Sequence, residues 1–214
     1  MLINHLWQAT LETAYMTFAS ATFTAFFGLL LGCVLFLCRK NGPWEQPVLY
    51  RGLSLTVNIG RSIPYIILMC AIVPFTRLLV GTSIGTNAAI VSLTLAAIPF
   101  FARIVENSLL NLPAGLFELA NALGAKPLEA LRHIYLQDAM PDLIRGFSLT
   151  VVNLIGYSAM AGAVGGGGLG SLAIHDGYQR FDTLTMTLTV LVLIAMVQCV
   201  QSLGDLIVKR WFNH

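Results

Sequence analysis

Charged side chains are scarce in this sequence. Asp, Glu, Lys and Arg make up only 10% of its 214 residues and hydrophobic residues 57%, whereas a soluble domain usually carries about 25% charged residues. The few charges leave long gaps, which are 13–38, 52–76 (broken only by Arg61), 78–102, 146–175 and 183–204. Each gap is long enough for the roughly 20 apolar residues of a spanning helix. We therefore predict an all-α membrane protein with five transmembrane helices, and not a soluble protein with a very large core.

Several motifs of catalysis and energy coupling are missing as well. The sequence has no G-x-x-x-x-G-K-[ST] phosphate-binding loop, and its four cysteines form no C-x-x-C pair, so we expect no nucleotide, metal or other cofactor in this chain. The predicted spans contain no Asp or Glu, which a proton-coupled carrier would need near the bilayer midplane. Gly156-Tyr-Ser-Ala-Met160 begins like a nucleophile elbow but lacks the closing glycine. We therefore expect no enzymatic activity; an intramembrane hydrolase and a channel-like pore remain alternatives, which co-purification of an ATPase would exclude.

The basic residues are unevenly distributed along the chain. With the N-terminus outside and five crossings, only Arg77 and Arg180 fall on the outer side, and Arg61 lies in the membrane. The cytoplasmic side then receives Arg39, Lys40, Arg51, Arg103, Lys126, Arg132, Arg145, Lys209 and Arg210. Because cytoplasmic loops carry an excess of Lys and Arg, we predict an N-out, C-in topology.

The second predicted span contains an arginine and a proline, in the run Arg61-Ser-Ile-Pro64. Pro64 removes a helix hydrogen bond and should bend the helix. A charge inside a span is a candidate functional site. Alternatively, Arg61 and Arg77 lie sixteen residues apart, about 24 Å of helix, so each could extend to one membrane interface. We prefer the second interpretation of Arg61.

Two shorter patterns predict contacts between or within helices. Gly28 and Gly32 form a small-xxx-small pair in the first span, which either allows close helix packing or occurs by chance in a glycine-rich chain. Arg103 and Glu106 are spaced for an ion pair where the third span should end. In the fifth span we expect an interhelical polar contact from Gln198, Gln201, Ser202 and Asp205.

The fourth span predicts a translocation path. Polar and soft side chains share one helical face, and we assign the path or its gate to Thr150, Asn153, Tyr157 and Met160. The span runs into a glycine-rich segment, 162–170, which cannot form a stable helix. Its centre is the candidate hinge, Gly165, Gly166, Gly167 and Gly168. The alternatives are an ordinary outer loop for the glycine segment and a core role for Met160.

The long section 104–142 between the third and fourth spans is not a plain polar loop. Leu116, Leu119 and Leu123 lie on one helical face, and Gly124 can end that helix with a positive φ. A second helix should begin at Pro127 and end at Pro141. Such apolar faces either bind a partner or pack against the chain's own bundle, and the sequence leaves both possibilities open.

Section 104–142 also resembles a known signature. Glu118-Leu119-Ala120, Gly124, Ile134 and Leu136 resemble the E-A-A-x(3)-G-x(9)-I-x-L-P motif of binding-protein-dependent ABC-importer permeases, with Leu119 in place of Ala and Gln137 in place of Pro. Further runs are similar to the methionine-importer branch of that family; they are Arg61–Pro64, Ile72–Gly81 and Gly156–Gly170.

This resemblance implies a fold, a function and a set of partners. It implies one permease domain, 1–214, with the type I ABC-importer fold and a cytoplasmic coupling section at about 115–141. Coupling to the ATPase is implied for Glu118, Ala120, Leu123, Gly124, Ala125, Leu128, Ile134 and Leu136. The implied assembly in the bacterial inner membrane is a homodimer of this multi-pass chain with two ATPase subunits, which hold ATP and Mg, and an extracytoplasmic methionine-binding protein, without nucleic acid. The implied function is methionine import by alternating access; the alternative is import of another small amino acid.

Overall fold

A computed structural model describes residues 2–212, so residues 1, 213 and 214 of the predicted domain lie outside the described residues. Four long helices dominate the structure: α1 (Leu2–Cys38), α5 (Thr86–Leu110), α8 (Leu136–Ala161) and α10 (Thr183–Phe212). Within the described residues, four segments are long and apolar enough to cross a membrane, and five if the bent pair α2 (Pro47–Ser62) and α3 (Tyr65–Ala71) forms one span. The predicted all-α membrane fold is confirmed.

Helices α1 and α5 pack closely along their length, and two glycines of α1 permit this approach. A Cβ atom on Gly28 would lie 2.9 Å from Phe101 Cδ1, and one on Gly32 would lie 2.6 Å from the backbone oxygen of Ala102. No larger residue fits at that separation. The pair Gly28 and Gly32 is therefore a helix–helix contact, as one of the two interpretations predicts.

The second predicted span changes direction at Pro64, as predicted, but it does so at a break between two helices and not within one continuous helix. Helix α2 ends at Ser62, α3 begins at Tyr65, and the two helix axes differ in direction by 105°. Ile63 is extended, the conformation that the residue before a proline favours, because the proline ring disfavours the helical region there. Another short helix, α4 (Val73–Val80), follows. The separation of about 24 Å between Arg61 and Arg77 holds only for a continuous helix. The argument that each arginine extends to one membrane interface therefore fails.

Helix α5 was predicted to end near Arg103 and Glu106, but it continues to Leu110. Both charged side chains find partners inside the protein, so the helix does not need to stop where the apolar run stops. Its first residue follows a short turn in which Gly81 and Gly85 adopt positive φ angles of 81° and 99°, a conformation that favours glycine.

The section after α5 contains two short helices, as predicted, but the second does not end at Pro141. Helix α6 (Ala114–Ala122) is followed by α7 (Pro127–Ala130), and a π-helical turn (Leu131–Tyr135) leads directly into α8. Pro141 lies inside α8, just as Pro99 lies inside α5. A proline removes one hydrogen bond and bends a helix, but the remaining bonds can carry the helix past it.

The glycine-rich segment interrupts the helix after α8, which confirms that it forms no continuous helix. A π-helical turn (Gly162–Gly166) ends in irregular backbone, where Gly165, Gly167 and Gly168 have φ angles of 90°, 81° and 71°. The chain then resumes as α9 (Gly168–Ser171) and a second π-helical segment (Leu172–Gln179). The irregular backbone is therefore confined to about five residues within the predicted run.

Candidate coupling surface and translocation path

Helix α6 and the start of α7 expose large apolar side chains. Leu119, Leu123 and Leu128 are 47%, 68% and 61% exposed, and Glu118 and Gly124 beside them are exposed too. We call these five residues the coupling surface. Three exposed leucines within ten residues form the kind of surface that marks a binding site.

The other face of the same section packs against the chain itself. Ala120, Ala125, Ile134 and Leu136 lie in or against a cluster built around Phe36 of α1. Aromatic contacts fix this cluster, since the ring centroids of Phe36 and Tyr135 are 5.8 Å apart and those of Phe117 and Tyr135 are 5.0 Å apart. Half of the predicted coupling residues thus hold the section in place, while Glu118, Leu123, Gly124 and Leu128 face outward.

Gly124 ends α6 in the way its sequence predicts. Its φ angle is +62°, its N–H donates to the Asn121 carbonyl (3.0 Å), and the N–H of Ala125 donates to the Ala120 carbonyl (3.1 Å). These two bonds form a Schellman motif, which satisfies carbonyls at the end of a helix. A Cβ atom on Gly124 would meet nothing within 4 Å, so the space beside it is open to a partner.

A polar network around the buried side chain of Glu106 joins α2 to α5. Arg103 forms an ion pair with Glu106, which is 1% exposed, and the predicted pair is confirmed. Glu106 also accepts a hydrogen bond from the Tyr50 hydroxyl (3.0 Å), and Arg103 donates to Ser54 Oγ (2.9 Å) and Asn58 Oδ1 (2.8 Å). Paired charges and satisfied donors are what a buried ion pair needs to be tolerated.

The α2 side of this network was not predicted, although the sequence contains a signal for it. Tyr50, Ser54 and Asn58 are spaced i, i+4, i+8 and therefore form a polar stripe along one face of α2. Their partners on α5 are about 50 residues away in sequence. A stripe can therefore be recognised from the sequence, but its partner cannot.

A polar cavity of about 490 Å³ lies at the break between α2 and α3. It is lined by Asn58, Gly60, Arg61, Ser62, Ile63, Tyr65, Ala96, Phe100 and Tyr157. The Arg61 guanidinium carbon lies 5.9 Å from the centroid of the Phe100 ring, and the rings of Tyr65 and Tyr157 stack at 4.8 Å. No acidic side chain within residues 2–212 pairs with Arg61.

The four predicted path residues of α8 do not share one environment. Tyr157 lines the cavity, Asn153 is half-buried, and Met160 is 49% exposed. Thr150 is fully buried, and its hydroxyl donates to the Gly146 carbonyl at 2.8 Å. The structure brings Tyr157 to the Arg61 cavity and places Thr150 in the packed interior.

The predicted hinge is attached to neighbouring helices by hydrogen bonds. The N–H groups of Gly168 and Leu169 donate to Glu12 Oε2 and Thr13 Oγ1 of α1, both at 2.8 Å. The carbonyl of Gly165 accepts from the N–H of Gly85 at 2.9 Å. The role of Glu12 was not predicted, because the sequence shows only that Glu12 is the last charged residue before the uncharged stretch 13–38.

The polar residues predicted to form an interhelical contact in the last span do not form one within the described chain. Gln198, Gln201, Ser202 and Asp205 are exposed on α10. The contact between Gln198 Nε2 and Gln201 Oε1, at 3.5 Å, stays within the helix. This prediction is wrong for a single chain. Helix α10 packs mainly on α8 and on the π-helical segment Leu172–Gln179, and the four polar side chains stay exposed.

Comparisons with known proteins give a consistent result. A family model for binding-protein-dependent transport system inner membrane components matches residues 25–213. A Vibrio cholerae protein described as a probable D-methionine transport system permease, MetI, is 48% identical over 205 residues, 96% of this chain and 91% of the relative. The Pasteurella multocida protein of the same description is 47% identical over 206 residues, 96% of this chain and 94% of the relative.

A solved structure has the same fold. A chain of the MetNI methionine ABC transporter in inward-facing conformations superimposes with a TM-score of 0.93 at 44% sequence identity. The superposition covers 98% of this chain and 95% of that chain.

Proposed function

The chain belongs to the binding-protein-dependent transport system inner membrane components, and we propose that it is the transmembrane permease subunit of an ATP-driven methionine importer. One observation carries the proposal: the similarity to methionine permeases extends over 96% of the chain at 48% identity. The section that would transmit force and the helices that would form the path therefore both lie within the region that is similar to methionine permeases.

The coupling surface supplies the mechanical part of this function. Two copies of the chain assemble with two ATPase subunits, and the exposed leucines of α6 and α7 sit in a cleft of the ATPase. Motion of the ATPases then moves α6 through a section fixed to α1 by the cluster around Phe36. With the N-terminus outside and the C-terminus inside, this surface faces the cytoplasm, where ATP is available.

The chain itself acts without catalysis in this mechanism. ATP and Mg bind to the partner subunits, and the permease alternates between outward-open and inward-open states. The glycine backbone near residues 164–168 is irregular, and a hinge motion there would have to move or break its hydrogen bonds to α1 and Gly85. Irregular backbone at membrane depth is tolerated where it is buried in protein or lines an aqueous path.

Uptake by reconstituted vesicles tests the proposal. The permease is placed in liposomes with its ATPase and binding-protein subunits, ATP is supplied on the ATPase side, and accumulation of radiolabelled methionine is measured. We expect accumulation only with all three components, and none when a non-hydrolysable ATP analogue replaces ATP.

Other results would contradict the proposal in distinguishable ways. Accumulation of another small amino acid but not of methionine would identify the alternative substrate class. Equilibration of methionine without ATP would indicate a pore and not an importer.

A further inference from the structure

We propose that the cavity at the break between α2 and α3 binds the α-carboxylate of the transported amino acid through Arg61. This inference rests on the proposed function, because it specifies how the permease itself holds its substrate during passage. It assigns a transient site to this chain in addition to the site of the binding protein.

The first argument is the environment of Arg61. A charged side chain within a membrane-spanning segment is costly and normally has a partner, and Arg103 has one in Glu106. Arg61 has no acidic partner within the described residues, and its side chain is accessible at the wall of the cavity. The uncompensated positive charge therefore fits an anionic ligand that comes and goes.

The second argument is the chemistry of the donors. A guanidinium group presents a planar set of N–H donors that matches the two oxygens of a carboxylate. The Asn58 side chain lines the same cavity, and its Oδ1 is occupied by a hydrogen bond from Arg103. The Nδ2 group of Asn58 is thereby left as a second donor for the carboxylate.

The third argument is the size and the remaining lining of the cavity. Its volume of about 490 Å³ accommodates an amino acid with water. Besides the polar residues, the lining includes Ile63, Phe100 and the stacked rings of Tyr65 and Tyr157. A thioether makes favourable contacts with aromatic rings, so both ends of methionine find suitable surfaces.

The helix break explains why such a site exists here. The chain turns by 105° at Ile63 and Pro64, and residues on both sides of this turn, among them Arg61 and Tyr65, line the cavity. Since every amino acid carries the α-carboxylate, a site built on Arg61 has little power to distinguish side chains. Selection of methionine then rests mainly on the binding protein.

Direct binding to the permease–ATPase complex, without the binding protein, tests this site. Radiolabelled methionine is titrated into the millimolar range against the wild-type complex and three variants that still co-purify with the ATPase: Arg61→Gln, Arg61→Lys and the control Arg77→Gln. We expect Arg61→Gln to weaken binding about tenfold or more, the loss typical of a charged hydrogen bond. The affinity of Arg61→Lys should be intermediate. The affinity of Arg77→Gln should be unchanged, because Arg77 is exposed on α4 and is not among the residues that line the cavity.

Competition on the wild-type complex gives a second measurement that needs no variant to fold. The acid obtained by removing the amino group of methionine should displace the label, and the amine obtained by removing its carboxylate should not. Wild-type affinity in Arg61→Gln, or equal competition by the amine, would overturn the proposal. So would the absence of methionine binding to a complex that imports methionine when the binding protein is added, whereas loss of import in that complete system would refute the proposed function instead.

Discussion

The glycine at the end of α6 offers the sharpest test of how force reaches this chain. Gly124 adopts φ +62°, and a Cβ atom added there would meet no atom of the chain within 4 Å. Gly124→Ala therefore changes the backbone preference without a clash inside the chain. The left-handed conformation costs a residue with a Cβ roughly 1–2 kcal/mol, which lowers the population of the observed turn by a factor of about 5–30.

Two further variants separate backbone strain from the volume of the side chain. Gly124→Asn adds a larger side chain, but asparagine tolerates the left-handed conformation, so it mainly fills the space open to a partner. Gly115→Ala is the matched control, because Gly115 lies in the same helix, is exposed and has nothing within 4 Å of an added Cβ. An alanine there should strengthen the helix slightly.

The assay measures co-purification of the ATPase and methionine uptake by vesicles, with membrane insertion checked for each variant. If the left-handed backbone of Gly124 is needed for coupling, Gly124→Ala should keep the ATPase bound but reduce uptake per ATP hydrolysed. If the partner's cleft needs the open space, Gly124→Asn should lose the ATPase. Wild-type uptake in both variants would refute a coupling role for Gly124, and a loss in Gly115→Ala as well would show that the whole helix surface is sensitive.

Three further predictions concern packing, charge and the path. Gly32→Val should destabilise the protein by about 1–3 kcal/mol or more through overpacking, because an added Cβ would lie 2.5–2.7 Å from three α5 atoms. Its melting temperature in detergent should therefore fall. The control Gly52→Ala should leave the melting temperature unchanged, because an added Cβ there meets nothing within 4 Å. Glu106→Gln should destabilise the protein by about 1.5–3 kcal/mol, because Arg103 loses its charged partner but keeps its hydrogen bonds to Ser54 and Asn58. Adding Arg103→Gln should restore part of the stability, and additive losses would contradict the pairing. Met160→Ala should change the transport rate or raise ATP hydrolysis without substrate while assembly is retained, and wild-type values in both assays would leave Met160 without a path role.

Local features of the sequence predicted local features of the structure. The gaps between charges located the apolar segments, because the cost of a charge in a membrane depends mainly on the residue itself. Gly124 and Pro127 predicted the end of α6 and the start of α7, because capping is decided within a few residues. The same local rules failed at Pro141, where the flanking turns of α8 carried the helix past a proline.

Features that depend on distant residues could not be predicted in this way. A proline disfavours the helical region for the residue before it, which makes a break before Pro64 plausible, but the 105° change of direction depends on how α3 packs on α5 and α8. Glu12 is the last charged residue before the uncharged stretch 13–38, and only the folded chain shows that it accepts a hydrogen bond from the N–H of Gly168. In both cases the sequence marks a position, and the tertiary contacts determine what happens there.

Asn58 joins two features that the sequence presents separately. Its Oδ1 accepts a hydrogen bond from Arg103, which forms the ion pair of α5 with Glu106, and its side chain also lines the Arg61 cavity. Helix α5 ends at Leu110, and α6, which carries the coupling surface, begins only four residues later at Ala114. A displacement of α6 that moves the end of α5 must therefore either carry Asn58 with it or break the bond to Arg103. Either outcome changes the donors around the cavity, and this gives the polar network a position between the surface that would receive the force and the site that would hold the substrate.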